Sequence, residues 1–392
     1  MIRACLFVFA IQISVFGNTF ETRLSKEVLE MQRGLVRDGL CLSHEVIVGH
    51  RGKVVYRHAE RSSVSGDLPI TDKTLFPIWS MTKPVTSVGV MLLYERGAFA
   101  LDDSVHRVLP KLSQLRVRAG DQTTVPLKRD ITYRDLLCHT TGIDGYDGAF
   151  DQPGTWKEIM ELNDLDEVIT LLVSQPLKHQ PGEGYTYGMS TAILGRAVEV
   201  ISGMPFADFL TTEVFKPLGM NRTRFFLTEE DRQHFQPLFV KEGTAFRPGT
   251  RAEDELHYRP DSALSLGGEG LVSSMMDYAK FCQMLVDGGK PILRTETLSL
   301  MLEDHLKENT HYSGKARGFH HGLGVWVLAD AAKEGSSSPN GIFGWSGYHA
   351  THFWVDPKNE LYGLFMTRRY PPTEAPQRHL RDAVYRALNS KD

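Results

Sequence analysis

Residues 76–85 read FPIWSMTKPV and set a serine and a lysine three positions apart, Ser80 and Lys83, at the head of an apolar run. If Ser80 opens a helix, positions i and i+3 share a face, and hydroxyl and amine come within hydrogen-bond reach. A serine hydroxyl is a weak nucleophile until a neighbouring base takes its proton. Desolvation against Phe76, Trp79 and the apolar helix predicts a lowered pKa for Lys83. The amine then either takes the Ser80 proton itself or lowers the pKa of a third group. The helix N-terminus favours developing negative charge, and the Ser80 N–H can point at an oxyanion. The chemistry these residues suit is acyl transfer through a covalent serine ester. The spacing alone is common, so the case rests on the rest of the chain.

Other constellations carry less. The chain holds 15 histidines, but His349 and His352 lie three apart in an expected strand and would point to opposite faces. His320 and His321 are adjacent and diverge for the same reason. No metal site is therefore expected, and no cofactor. His139, in LLCHTTG, reads as a hydrogen-bonded structural histidine. Gly344-Trp345-Ser346-Gly347 approaches the G-x-S-x-G nucleophile elbow, but Tyr348 stands where the last glycine belongs. Cys5, Cys41, Cys138 and Cys282 form no C-x-x-C pair and suggest no disulfide framework. A net charge of −4 gives no electrostatic case for nucleic acid.

The elements that must position Ser80 and Lys83 follow from periodicity. Leu24, Val28, Met31 and Leu35 mark a helix over 21–37, and Leu380, Ala383, Val384 and Leu388 mark another over 376–388. Residues 45–60 read as a hairpin turning at His50-Arg51-Gly52-Lys53, and 351–367 as a second turning at Asp356-Pro357-Lys358-Asn359. GLGVWVLA (322–329) reads as a further strand. Between the ends the signals are helical. Val85–Arg96 stops at Gly97, Ala192–Ile201 stops before Gly203, and Thr132–Asp135 and Ser274–Asp277 read as capping boxes. Strands at both termini and helices in the middle predict an α+β fold: an antiparallel sheet built from the N- and C-terminal segments, flanked by helices, with a mainly helical insertion. The boundaries fall at about 18–80 and 290–392 for the α/β part and about 81–289 for the helical part.

The order of motifs resembles the serine β-lactamase-like superfamily, in the branch of class C β-lactamases and related carboxylesterases. The resemblance runs from about residue 43 to 370. Residues 75–110, ITYRDLLCHTTGI (131–143), FKPLGMNRT (215–223) and GGEGLVSSMMDYAKFCQML (267–285) carry it. It implies a β-lactamase/transpeptidase-like fold with Ser80 as nucleophile and Lys83 beside it. The family's tyrosine falls in YTYGMSTAILGRAVEVISG (185–203), where alignment on Ile193-Leu194-Gly195 selects Tyr187, with Tyr185 as the nearby alternative. Its substrate-binding strand edge falls at Trp345-Ser346-Gly347. The Tyr348 N–H would be the second oxyanion donor beside that of Ser80, with Gly347 admitting substrate close to the backbone.

Three departures bear on substrate. Gly188 and Met189 stand where the lactamase pattern has serine and asparagine. Trp345 replaces the cationic or hydrogen-bonding side chain that would meet a lactam or peptide carboxylate, and an indole there suits an apolar acyl or alcohol group. Glu269 in GGEGL occupies a position that is small in relatives, as a surface charge or a cleft-lining group. Arg368 and Arg369 read as solvent-exposed, with a substrate carboxylate as the alternative partner.

The expectation is a serine hydrolase acting on small-molecule carboxylic esters, with no metal and no nucleic-acid partner. The alternatives are a β-lactamase or D-amino-acid peptidase on the same fold, or a catalytically silent binding protein. Nothing in the sequence points to a particular oligomeric state. Arg3 followed by the apolar run 5–16 and Gly17 reads as a signal peptide over 1–17, hence a secreted or periplasmic protein, with an N-terminal anchor as the alternative.

Overall fold

A computed structural model describes residues 19–120, 123–144, 155–250, 253, 264–306, 310 and 312–390. The expected signal segment lies outside them.

The sheet has seven antiparallel strands: β1 (His44–His50), β2 (Lys53–Glu60), β3 (Phe319–His321), β4 (Trp326–Leu328), β5 (Phe343–Ser346), β6 (His352–Asp356) and β7 (Leu361–Met366), in the order β2-β1-β7-β6-β5-β4-β3. The β1–β2 hairpin turns at Arg51 and Gly52, both with positive φ as a tight two-residue turn requires. The second expected hairpin is β6–β7. β1 pairs with β7, His50 opposite Leu361, and so joins the two ends of the chain. The 322–329 segment is shorter than its pattern suggested. Only 326–328 is strand, and β3 before it escaped notice because three residues, Phe-His-His, show no alternation.

Alternation sorts the sheet's side chains. Val46 and Val48 face a core layer shared with Trp354, Phe365 and two helices, α1 (Phe20–Arg37) and α5 (Ala375–Asn389). Ile47, Phe353 and Leu364 face the larger core, with Tyr278 and Phe281 of α4 (Met275–Val286). Both faces of the central strands are thus covered, and β6 and β7 are buried throughout. The Trp354 indole donates to Tyr385 Oη at 3.2 Å, and that hydroxyl donates to Asp356 at 2.9 Å, tying α5 to the sheet.

On the larger-core side lie α2 (Thr82–Glu95), carrying Lys83, and α3 (Ser190–Ser202), which follows Tyr187. The Thr132–Asp135 box forms with both reciprocal bonds. At Ser274 only one half forms as a cap: its side chain accepts from Asp277 N. The Asp277 carboxylate instead accepts from Arg222 N at 2.6 Å and Thr223 Oγ1 at 3.2 Å, stitching two of the resemblance's blocks together.

Candidate active site

Ser80 sits in a single 3-10 turn, Trp79–Met81, that runs into α2. Trp79 takes a left-handed φ of 48°. Its indole donates to His349 Nδ1 at 2.8 Å and packs edge-on against Tyr348, with centroids 5.2 Å apart. The turn is thus anchored to the loop after β5. Gly347 lets that loop close in, since a Cβ there would lie 2.1 Å from Thr351 Oγ1 and 2.4 Å from the Ile78 carbonyl oxygen. Trp345, Gly347 and Tyr348 are so held against the segment that carries Ser80.

Tyr187 Oη donates to Ser80 Oγ at 2.8 Å, and Lys83 Nζ donates to the same oxygen at 3.3 Å. The three groups from the sequence therefore meet at one atom. Of the two tyrosines it is Tyr187 that reaches Ser80. Tyr185 turns into an aromatic cluster with Tyr312 (4.8 Å) and His321 (5.5 Å). The ITYRDLLCHTTGI block has a visible purpose. His139, buried at φ 55°, accepts from Thr186 N through its carbonyl and from Gly188 N through Nδ1 (2.9 and 3.4 Å), and its ring lies 4.9 Å from that of Tyr187. It is a bracing residue whose imidazole is kept neutral by burial, well below the usual histidine range.

Lys83 corrects one expectation. Desolvation is the largest influence and does act to lower its pKa, but the Glu269 carboxylate and Tyr187 outweigh it, and the net shift is upward. Lys83 Nζ donates to Glu269 Oε1 and to the Gly268 carbonyl, each at 2.9 Å, and is also hydrogen-bonded to Tyr187. Lys83 and Glu269 are each 1 % exposed. Glu269 is thus neither a surface charge nor a plain wall of the cleft. Removing one partner from such a buried pair costs about 3–5 kcal/mol, because the other charge is left uncompensated. The signal in the sequence was its departure from the small residue found in relatives.

Arg368 and Arg369 are a second correction. They are 3 % and 4 % exposed. Arg368 donates to the Gln236 carbonyl at 2.8 Å over the Phe235 ring, and Arg369 to the Leu40 carbonyl at 2.9 Å. They are buried and hold segments together. The histidine pairs diverge as expected: His352 bonds Ser346 Oγ and stacks on Trp354, away from His349, while His320 and His321 bond the Leu302 and Gly322 carbonyls. Among the described residues no group of His, Cys, Asp or Glu side chains converges as a metal site.

Trp345 is 7 % exposed, its ring 6.1 Å from that of Tyr187 and 5.5 Å from that of His321. It presents an aromatic ring beside Tyr187.

Residues 32–387 match the family model described as Beta-lactamase. Protein Rv1367c of Mycobacterium tuberculosis is 31% identical over 328 residues, 79% of this chain and 80% of that protein. Esterase EstB of Burkholderia gladioli is 29% identical over 373 residues, 89% of this chain and 92% of that protein. Among solved structures, EstCE1, described as a hydrolase with promiscuous acyltransferase activity, superposes with a TM-score of 0.81 at 23% identity. That match covers 93% of this chain and 99% of the other.

Proposed function

Since the chain belongs to the Beta-lactamase family, we propose that it is a serine esterase that cleaves small-molecule carboxylic esters through a Ser80 acyl-enzyme. The observation that carries this reading is the meeting of Tyr187 Oη and Lys83 Nζ on Ser80 Oγ. The likeness to EstB, an esterase by name, supports the same reaction class.

Four acceptors surround Lys83 Nζ: Gly268 O, Glu269 Oε1, Ser80 Oγ and Tyr187. An ammonium has no lone pair, and its three N–H donors can serve these four oxygens if one N–H is shared; a neutral amine would turn its lone pair toward an oxygen. Lys83 is therefore the cation of the site and Tyr187 its base. The Tyr187 phenol, which donates to Ser80 Oγ in the resting site, first gives its proton to solvent; the phenolate so formed beside the ammonium then takes the Ser80 proton as Oγ attacks the ester carbonyl carbon. The N–H groups of Ser80 and Tyr348 receive the oxyanion. Tyr187 then protonates the departing alkoxide, and the C–O bond breaks. In the second half water gives a proton to Tyr187 and attacks the acyl carbon, and the proton returns to Ser80 as the acid leaves.

The Lys83 charge is paired with Glu269, and Trp345 offers no cation. Both favour uncharged acyl groups over the carboxylate of a lactam or D-alanyl peptide. The test is turnover of p-nitrophenyl butyrate and of nitrocefin by the enzyme and by Ser80→Ala. Ester turnover lost in Ser80→Ala, with nitrocefin cleaved far more slowly, is the expected result. Efficient nitrocefin cleavage without ester cleavage would reverse the substrate assignment, and a fully active Ser80→Ala would remove Ser80 from the chemistry.

A further inference from the structure

Ser80, Lys83 and Tyr187 account for the proposed reaction without Glu269, yet among the described residues Glu269 is the carboxylate that contacts Lys83. It is delivered by the segment 264–273, which runs along the first turns of α2. Thr86 Oγ1 donates to the Gly267 carbonyl at 2.6 Å, Leu271 N donates to Thr82 Oγ1 at 3.2 Å, and Ile78 N donates to the Leu271 carbonyl at 3.0 Å. The tight turn at 266–270, closed by the Glu269 and Gly270 N–H groups on Leu266 O, aims the side chain at Lys83. One carboxylate oxygen, Oε1, accepts from the ammonium; the other, Oε2, is buried and meets no protein donor among the described residues. Burying an ionisable carboxyl group is costly in a folded core, so a group held this way calls for a functional reason.

We infer that Glu269 is a positioning residue of the proton-handling group: its carboxylate holds the Lys83 ammonium against Ser80 and Tyr187 and sets the pH range in which that group works. The inference rests on the esterase reading of the same site.

The electrostatics are simple because the neighbours are silent. Tyr185 and Tyr312 from the aromatic cluster and Cys138 and His139 from the turn before it face the group, as does His321 from β3. Burial holds the two histidines below their usual range and the phenols and thiol above theirs. Among the described residues that leaves Glu269, ion-paired with Lys83 at 2.9 Å, as the acidic group next to the Lys83–Tyr187 pair. That pair loses its protons in two macroscopic steps that belong to both groups. A fixed negative charge in contact opposes each loss, whichever group the proton leaves. Both limbs of the pH–rate profile therefore lie higher than they would without Glu269.

The experiment is the pH dependence of kcat/KM on p-nitrophenyl butyrate for wild type, Glu269→Gln and Glu269→Asp. Both limbs in Glu269→Gln should move to lower pH by about 1–3 units, the range for loss of an adjacent charge. In Glu269→Asp, which keeps the charge, they should stay near wild type. A folded Glu269→Gln with unmoved limbs overturns the inference. Should Glu269→Gln fail to fold, the carboxyl 13C shift of Glu269 in the wild-type enzyme decides. An ionised group throughout pH 5–9 supports the inference, and one that is protonated or titrates in that window overturns it. Absence of Ser80-dependent ester turnover in the wild type would count against the esterase reading alone, because the 13C measurement needs no substrate.

Discussion

At the scale of single residues, the contact of Ser80 with Lys83 was legible because they are neighbours on one run of helical turns, where spacing alone fixes proximity. Tyr187 was legible only through the resemblance, since no local rule places a phenol 107 positions along the chain against Ser80. Glu269 lies 186 positions from Lys83, and its role was hidden because a lone Glu between glycines has the pattern of an exposed turn. The two tyrosines offer a clean contrast. Tyr187→Phe removes the proton acceptor while keeping the ring against His139 and Trp345. It should lower kcat on p-nitrophenyl butyrate by about 10²–10⁴-fold, the usual contribution of a positioned acid–base group, and leave KM nearly unchanged. Tyr185→Phe should keep kcat close to wild type. Steady-state kinetics of the two variants side by side decides this; equal losses would assign the effect to the aromatic cluster and not to proton transfer.

At the scale of elements, helices and hairpins with strong periodicity were read to within a few residues. The first helix begins at Phe20 and the last ends at Asn389. What the pattern could not give is how the end of β5 is pressed onto the turn of Ser80. That contact depends on a missing Cβ at Gly347 against a carbonyl 269 positions earlier, at Ile78. Backbone on one side and the Thr351 side chain on the other leave no room to yield, so Gly347→Ala should drive the β5 edge away from Ser80. Overpacking of this kind costs about 1–3 kcal/mol of stability. A displacement of about 1 Å in a catalytic constellation costs on the order of 100-fold in rate. Gly347→Ala should therefore show a lowered Tm together with a loss of kcat/KM of that order. Wild-type turnover in this variant would separate the β5 edge from catalysis.

At the scale of the whole molecule, the sheet made from both chain ends was visible as β-rich segments at the termini around a helical middle. The strand order was not, because β1 beside β7 is a pairing between residues more than 300 positions apart, which leaves no local trace. The same reason hid the burial of Arg368 and Arg369. Residues 369 and 370 pair in parallel with Phe239 and Val240, covering a segment that by itself reads as a polar tail. The fold's contribution to chemistry is to bring four distant stretches, around residues 80, 187, 269 and 347, to one point. The proposed reaction passes through a covalent ester on Ser80. Intact-mass measurement after exposure to an alkyl fluorophosphonate, followed by peptide mapping, tests it most directly. One phosphonyl group per chain is expected, mapped to Ser80, absent in Ser80→Ala and formed more slowly in Tyr187→Phe. An adduct on another residue, or an unmodified chain whose ester turnover continues at full rate in the presence of the reagent, would contradict it.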